Sequence, residues 1–203
     1  MLITHRGFNI FNDYDLNANL ENFLSNLQKE IESDRSILQV EEKEYTEEKI
    51  EKYKKEPLVI SPEKITVSQK EFNIPSEYFP SGFWADRGKS YPKPVLTFRI
   101  PFNGDYQLFK CIPSTRLLWT EEVSISNNEI IFEIINFHND AEHIKRERDE
   151  FVKRLTQQIS NINNNINSYN EKLKKTIEES IKKAKEKFKN QDDFLSKLGT
   201  PTK

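Results

Sequence analysis

The densest group of metal-binding residue types lies just before the C-terminal third of the chain. His138, Asp140, Glu142 and His143 offer two imidazoles and two carboxylates, which are ligands for divalent transition metals. Their spacing matches no metalloprotease or deaminase motif. Asp140 and Glu142 also suit the first turn of a helix, where acidic side chains interact favourably with the helix dipole. We therefore assign no metal site and no cofactor, and a metal- or ligand-dependent enzyme is the least favoured hypothesis.

A second group could contact phosphate. Gly104 lies between Asn103 and Asp105 after a predicted strand, and Lys110 and Arg116 follow it. A lone glycine cannot wrap a phosphate as a P-loop does. The sequence favours a plain turn, in which Asp105 caps a short helical segment, over a nucleotide site.

Lysines crowd the distal part of the predicted C-terminal helix. Between positions 171 and 189, eight lysines stand against four glutamates. Such a surface can contact a nucleic-acid backbone without reading its sequence, although Lys and Glu more often keep the outer side of a helix solvated. Nucleic-acid contact is therefore our alternative hypothesis, and its candidate residues are Lys182, Lys183, Lys185 and Lys189.

The composition limits the remaining possibilities. Hydrophobic residues make up 35% and charged residues 32%, which indicates long exposed helices beside a small core. With 31 basic and 33 acidic residues, wholesale binding to duplex DNA is not implied. The lone Cys111 excludes an intrachain disulfide, lacks a His or Asx set that would make it a nucleophile, and fits a cytoplasmic protein. We find neither a signal peptide nor a membrane-spanning run.

One amphipathic stretch organises the chain. Apolar or small residues recur every three or four positions from Phe151 to Phe188, which predicts one helix over about residues 140–190, roughly 75 Å long. Such a helix cannot bury its apolar stripe within a compact domain of this size, so we expect a second copy of the chain to cover it. The stripe positions assigned to this interface are Ile159, Ile162, Ile166, Tyr169, Leu173, Ile177, Ile181 and Phe188.

The ends and middle of this helix carry their own signals. Asn139 and Asp140 form the N-terminal cap, and Gly199 and Pro201 are expected to end the helix. Asparagine, a weak helix former, is frequent at positions 161–170. We favour a continuous helix and keep a kink or hairpin near residues 163–165 as the alternative.

The rest of the chain predicts an α+β body over residues 1–138, followed by the long helix over 139–203, which projects or forms a coiled coil. The body is a small, mostly antiparallel sheet with N-terminal helices. A loop at 72–92 contains the aromatic residues Tyr78, Phe79, Phe83 and Trp84, which we interpret as anchors to the core. The predicted helices cover about 15–33 and 46–55, the second a charged surface element, and the predicted strands cover 58–60, 65–67, 96–100, 122–125 and 129–135.

Several segments resemble the N-terminal region of uncharacterised bacterial proteins that carry a C-terminal restriction-endonuclease-like domain. They are Ile100-Pro101-Phe102-Asn103-Gly104-Asp105, Leu108-Phe109-Lys110, Pro113-Ser114-Thr115, Asn139-Asp140-Ala141-Glu142, Ile144-Lys145-Arg146-Glu147 and Leu198-Gly199-Thr200-Pro201. The resemblance implies an accessory, sensing or assembly domain of a nuclease in antiphage defence.

In that family the nuclease residues would lie beyond Pro201, so none is assigned to this chain, which would be a piece of a longer protein or a stand-alone relative. Our leading hypothesis is therefore a non-catalytic interaction domain that forms homo-oligomers through the long helix, without contact to a membrane.

Overall fold

A single uninterrupted helix, α3, occupies Ala141–Lys197. The structure, a computed structural model that describes residues 2–3 and 6–197, confirms the α+β class and shows a continuous helix through residues 163–165, so the hairpin alternative is wrong. The side chain of Asp140 accepts hydrogen bonds from the backbone N–H groups of Glu142 and His143, so the predicted N-terminal cap is confirmed. The predicted stop at Gly199 and Pro201 lies outside the described residues.

The chain forms two compact units whose boundaries do not follow the predicted division at residue 138. The sheet unit contains the residues up to Asp15 together with Pro57–Asn163, and the bundle unit contains Leu16–Glu56 together with α3 from Asn164 onward. The long helix therefore contributes to both units.

The sheet unit is built on a curled antiparallel sheet. Its strands are β1 (Phe8–Asn9), β2 (Tyr14–Asp15), β3 (Val59–Ile60), β4 (Thr66–Pro75), β5 (Ser90–Asn103), β6 (Cys111–Ile112), β7 (Glu122–Ser126) and β8 (Glu129–Ile135). The main order is β1-β7-β8-β5, and β3 and β4 both pair with β5 on its other side. The short strands β2 and β6 form a separate parallel pair.

Stacked aromatic rings join the sheet to the first part of α3. Phe98 of β5 pairs with Phe132 of β8, so both side chains lie on one face, and their rings stack with centroids 5.1 Å apart. Phe132 also stacks on Phe151 of α3 at 3.8 Å, and Trp119 meets Phe151 edge-on at 5.6 Å. This column of rings supplies much of the buried apolar area of the sheet unit.

The predicted loop at residues 72–92 is shorter than expected, because the paired strands β4 and β5 extend into it from both sides. Prolines suggested a loop here, since proline cannot donate a hydrogen bond to a neighbouring strand. Pro92 and Pro94 are nevertheless accommodated in β5, because the pairing with β8 begins only at Val95. The predicted aromatic anchors are confirmed for Phe79 and Phe83, whose rings pack against Phe137 at 5.0 and 5.8 Å, whereas the prediction is wrong for Trp84, which is 82% exposed.

The bundle unit is a three-helix bundle of α1 (Leu16–Ser33), α2 (Glu42–Tyr53) and the distal part of α3. Hydrogen bonds and ion pairs fix the helix directions. In the α1–α3 pairs the residue numbers increase together in both helices, so α1 is parallel to α3. In the α2–α3 pairs the residue numbers rise in one helix as they fall in the other, so α2 is antiparallel to α3. The α1–α3 pairs are Asn17 with Asn165, Glu21 with Lys172 and Glu32 with Lys187, and the α2–α3 pairs are Glu42 with Lys185 and Tyr53 with Tyr169.

The second helix is not the surface element that its charge suggested, and it begins four residues earlier than predicted. Tyr45, Thr46 and Lys49 are buried against its neighbours. The Lys49 ammonium donates to Glu30 of α1 at 2.8 Å, and Lys52 and the Tyr53 hydroxyl donate to the same carboxylate. These three donors, led by Lys49, lower the pKa of Glu30 to about 2.

The apolar stripe of α3 is buried within one chain. Its predicted interface positions, from Ile159 to Phe188, are at most 5% exposed. Beyond Asn164 the stripe belongs to the same bundle as α1 and α2, whose own apolar residues such as Leu27 and Ile31 are fully buried. The argument that a second chain must cover the stripe therefore does not hold, since helices from the same chain do so.

The side chains of two asparagines of α3 form hydrogen bonds with backbone groups of the segment that follows α2. The Asn163 side chain accepts from the N–H of Leu58 at 2.9 Å and donates to its carbonyl at 2.8 Å. In the bundle unit, Asn170 makes the same pair of bonds with Lys55, at 3.0 and 2.8 Å. The asparagine-rich patch thus satisfies main-chain groups that form no ladder or helix bond.

Replacing Asn163 with Ala should destabilise the chain by about 1–3 kcal/mol, because the N–H and carbonyl of the buried Leu58 lose their partners. The matched control is Asn164→Ala, since Asn164 is exposed and its replacement by a better helix former should be neutral or stabilising by a few tenths of a kcal/mol. Urea unfolding followed by circular dichroism measures both. Equal effects of the two variants would contradict the structural role of Asn163.

Acid should weaken the bundle unit through Glu30. The folded-state pKa of Glu30 lies below its ordinary value of 4.5, so the ionised side chain stabilises the fold above that pH. This contribution is lost as the pH falls from 4.5 to about 2. In Glu30→Gln we expect lower stability at neutral pH and a smaller loss across this window, measured by urea unfolding at a series of pH values. An unchanged acid dependence would refute the assignment.

Candidate functional site

A cleft with a volume of about 790 Å³ lies in the sheet unit. Aromatic and aliphatic side chains form part of its wall, among them Trp119, Phe132 and Phe137. His138 and His143 also line it, so the structure brings the two histidines of the predicted cluster together, with ring centroids 4.6 Å apart. The volume is within the usual range for ligand sites.

The histidine cluster is not arranged as a metal centre. Within residues 2–3 and 6–197 there is no group of three or more His, Cys, Asp or Glu side chains placed to hold a metal ion. Asp140 instead caps α3, and the two backbone N–H groups that it accepts, led by that of His143, lower its pKa. The Nε2 atom of His143 lies 3.4 Å from the Glu147 carboxylate, and its Nδ1 atom lies 3.4 Å from the Arg146 guanidinium. Both ring nitrogens therefore face partners in the same helix turn.

Most charges of the cleft are paired within the chain. Glu122 accepts from the backbone N–H of Leu2 at 3.2 Å, and Glu133 accepts from that of Ile3. Glu150 bonds Arg154 at 2.8 Å. The described lining holds aromatic rings, carboxylates, guanidinium groups and imidazoles, without a Ser, Thr, Cys or Lys side chain.

Four of the eight lysines in the distal part of α3 form ion pairs with acids that the structure describes. Lys185 pairs with Glu42 at 2.7 Å, and the Lys187 ammonium donates to the carbonyl of Glu32. Lys172, Lys174 and Lys175 also form ion pairs, with Glu21, Glu178 and Glu179. Of the four predicted nucleic-acid contacts, Lys182, Lys183 and Lys189 are exposed and form no ion pair with any residue that the structure describes.

Apolar side chains remain uncovered at one end of the bundle unit. Leu38 and Val40 lie in the connection between α1 and α2 and are 44% and 41% exposed, while Phe194 and Leu195 in the last turns of α3 are 64% and 37% exposed. The connection lies beside α3, because Arg35 pairs with Asp192 and sits 5.3 Å above the Phe188 ring. We call these four apolar residues the bundle-end patch.

The sequence showed only part of this patch. Leu195 continues the stripe at seven residues beyond Phe188, which the periodicity indicates. Leu38 and Val40 carried no such signal, because their position depends on how the α1–α2 connection packs. Sequence reasoning also missed Leu118 and Trp84 as exposed side chains of the sheet unit, at 95% and 82%. The connection that holds Leu118 is fixed to α3, where Gln158 accepts the N–H of Leu117.

Comparison with models of known protein families, with curated proteins and with solved structures gave no match to this chain. Among the helices that the structure describes, none combines the length and apolar character needed to cross a membrane. The function of the chain must therefore be inferred from the geometry of its own residues.

Proposed function

We propose that this chain is a non-catalytic assembly module that self-associates through the bundle-end patch. The observation that carries the proposal is that the apolar stripe of α3 is covered as far as Phe188, whereas Leu195 and Phe194 beyond it are exposed. Exposed apolar residues that form a group mark an association surface more often than a solvated one. The interface is thus the end of the helix, and the covered stripe serves the fold of one chain.

The position of the bundle-end patch favours a second copy of the chain as the partner. A twofold-symmetric contact uses one patch on both subunits, so the same four residues supply both sides of an apolar contact. Asp193 and Lys197 each lie two residues from Leu195 and therefore on the opposite side of α3, so neither charge lies within the contact.

The resemblance to N-terminal regions of nuclease-linked proteins is consistent with this assignment and extends the proposal. A self-associating module would bring two copies of an attached nuclease domain together, as an accessory domain in antiphage defence would need to do.

Light scattering coupled to size-exclusion chromatography tests the proposal directly. We expect the 24.1 kDa chain to approach twice its mass at high micromolar concentration, and Leu195→Glu to remain a monomer because it places a carboxylate in the apolar centre. The matched control is Leu118→Glu, an exposed leucine outside the patch, which should associate like the unchanged chain. A monomeric unchanged chain, or an equal effect of both variants, would overturn the proposal.

A further inference from the structure

A second cavity of the sheet unit has an unusual charge. It has a volume of about 420 Å³, and the charged side chains in its lining are Arg6 and Lys110, without a carboxylate. The nearest acid in sequence, Asp105, is occupied at its own turn, where it accepts the N–H of Gln107 at 2.9 Å. In a chain with more acidic than basic residues, a cavity whose charged groups are both cationic is suited to an anion.

Aromatic rings stand beside the two cations. The Lys110 ammonium lies 5.4 Å from the centroid of the Phe8 ring, which holds it at the cavity wall. Tyr106 also lines the cavity and is 47% exposed, so part of its surface is open to a ligand. A flat ring next to cationic side chains is the combination that binds a nucleotide base and its phosphate.

The opposite wall is polar. It is formed by the turn between β7 and β8, where Asn127 and Asn128 both adopt positive φ angles, of 52° and 58°. Their side-chain amides can donate and accept hydrogen bonds, as base edges require. The backbone N–H of Phe102 donates to the Asn128 carbonyl at 2.9 Å and fixes this turn against β5.

We infer that this cavity binds a nucleoside phosphate, with the phosphate at Arg6 and Lys110 and the base against Tyr106. The two asparagines of the turn contact the polar edge of the base or the sugar. The volume suits one nucleotide unit, supplied either as a free mononucleotide or as one residue of a single strand. The site uses the sheet unit alone and is independent of the bundle-end patch.

Isothermal titration of the full chain with ATP, AMP, adenosine and inorganic pyrophosphate tests the site. We expect ATP and AMP to bind more tightly than adenosine, which lacks the phosphate, and ATP to bind more tightly than pyrophosphate, which lacks the ring. The inference would be overturned if adenosine bound as tightly as AMP, if pyrophosphate bound as tightly as ATP, or if no nucleotide bound at millimolar concentration.

Variants then locate the binding. Lys110→Gln should weaken ATP binding by roughly 10- to 100-fold, the loss expected for a charge-assisted contact. The matched control is Lys93→Gln, because Lys93 lies 5.6 Å from the Phe79 ring in a similar arrangement outside the cavity. Arg6→Gln and Tyr106→Ala provide a second test if Lys110→Gln unfolds early. Equal losses in Lys93→Gln, or unchanged affinity in Lys110→Gln, would refute the site.

Two further measurements separate the sources of the ligand and the two proposals. The first measurement is the affinity for a short single-stranded oligonucleotide. If it binds more tightly than AMP and loses affinity in Lys110→Gln, the ligand is one residue of a single strand. If it binds no more tightly than AMP, the ligand is a free nucleotide. Leu195→Glu should bind ATP normally, so failure of self-association leaves the nucleotide site standing. A loss of ATP binding in Leu195→Glu would contradict the placement of the site in the sheet unit.

Discussion

Covering the apolar stripe of α3 is the constraint on which the rest of the structure depends. A helix of 57 residues exposes far more apolar surface than one small sheet can cover. The chain solves this with two different covers. In the sheet unit, the ring column of Phe98 and Phe132 packs on Phe151, and in the bundle unit α1 and α2 enclose the stripe up to Phe188. Each cover buries its part of the helix within a single chain.

Polar contacts inside these covers fix which residues meet. Apolar faces alone allow helices to slide, because one leucine replaces another at small energetic cost. The paired hydrogen bonds of Asn163 with Leu58 and of Asn170 with Lys55 can form in only one alignment of α3 with the backbone segment that it contacts. In the same way, Glu30 reaches its three donors in only one alignment of α1 and α2. Misalignment would leave buried polar groups unpaired, which is costly in a low-dielectric interior. Asn163 and Asn170, although weak helix formers, thus fix how α3 aligns with the segments that pack against it.

The sequence predicted what depends on local pattern and failed where tertiary pairing decides. The structure confirms three predictions that follow from spacing and residue type, namely the period of α3, the boundaries of α1 and the Asp140 cap. The sequence also identified the apolar stripe of α3, but we expected a second chain to cover it. The reason is that nothing in the α2 sequence shows that Lys49 would be buried against Glu30. Likewise, Arg6 and Lys110 are more than a hundred residues apart, and tertiary contacts bring them to one cavity, among them the hydrogen bond from the Asp13 N–H to the Lys110 carbonyl at 2.9 Å.

The parallel alignment of α1 with α3 has a consequence for biosynthesis. About 110 residues separate Glu56 from Asn164, so α1 and α2 leave the ribosome long before the helix that completes their core. At roughly 5–20 residues per second, this interval is on the order of 5–20 s. During that time Leu27 and Ile31 lack their final partner, and the nascent α1–α2 hairpin is a natural substrate for chaperones. The core of the bundle unit is therefore completed only after the distal part of α3 has been translated.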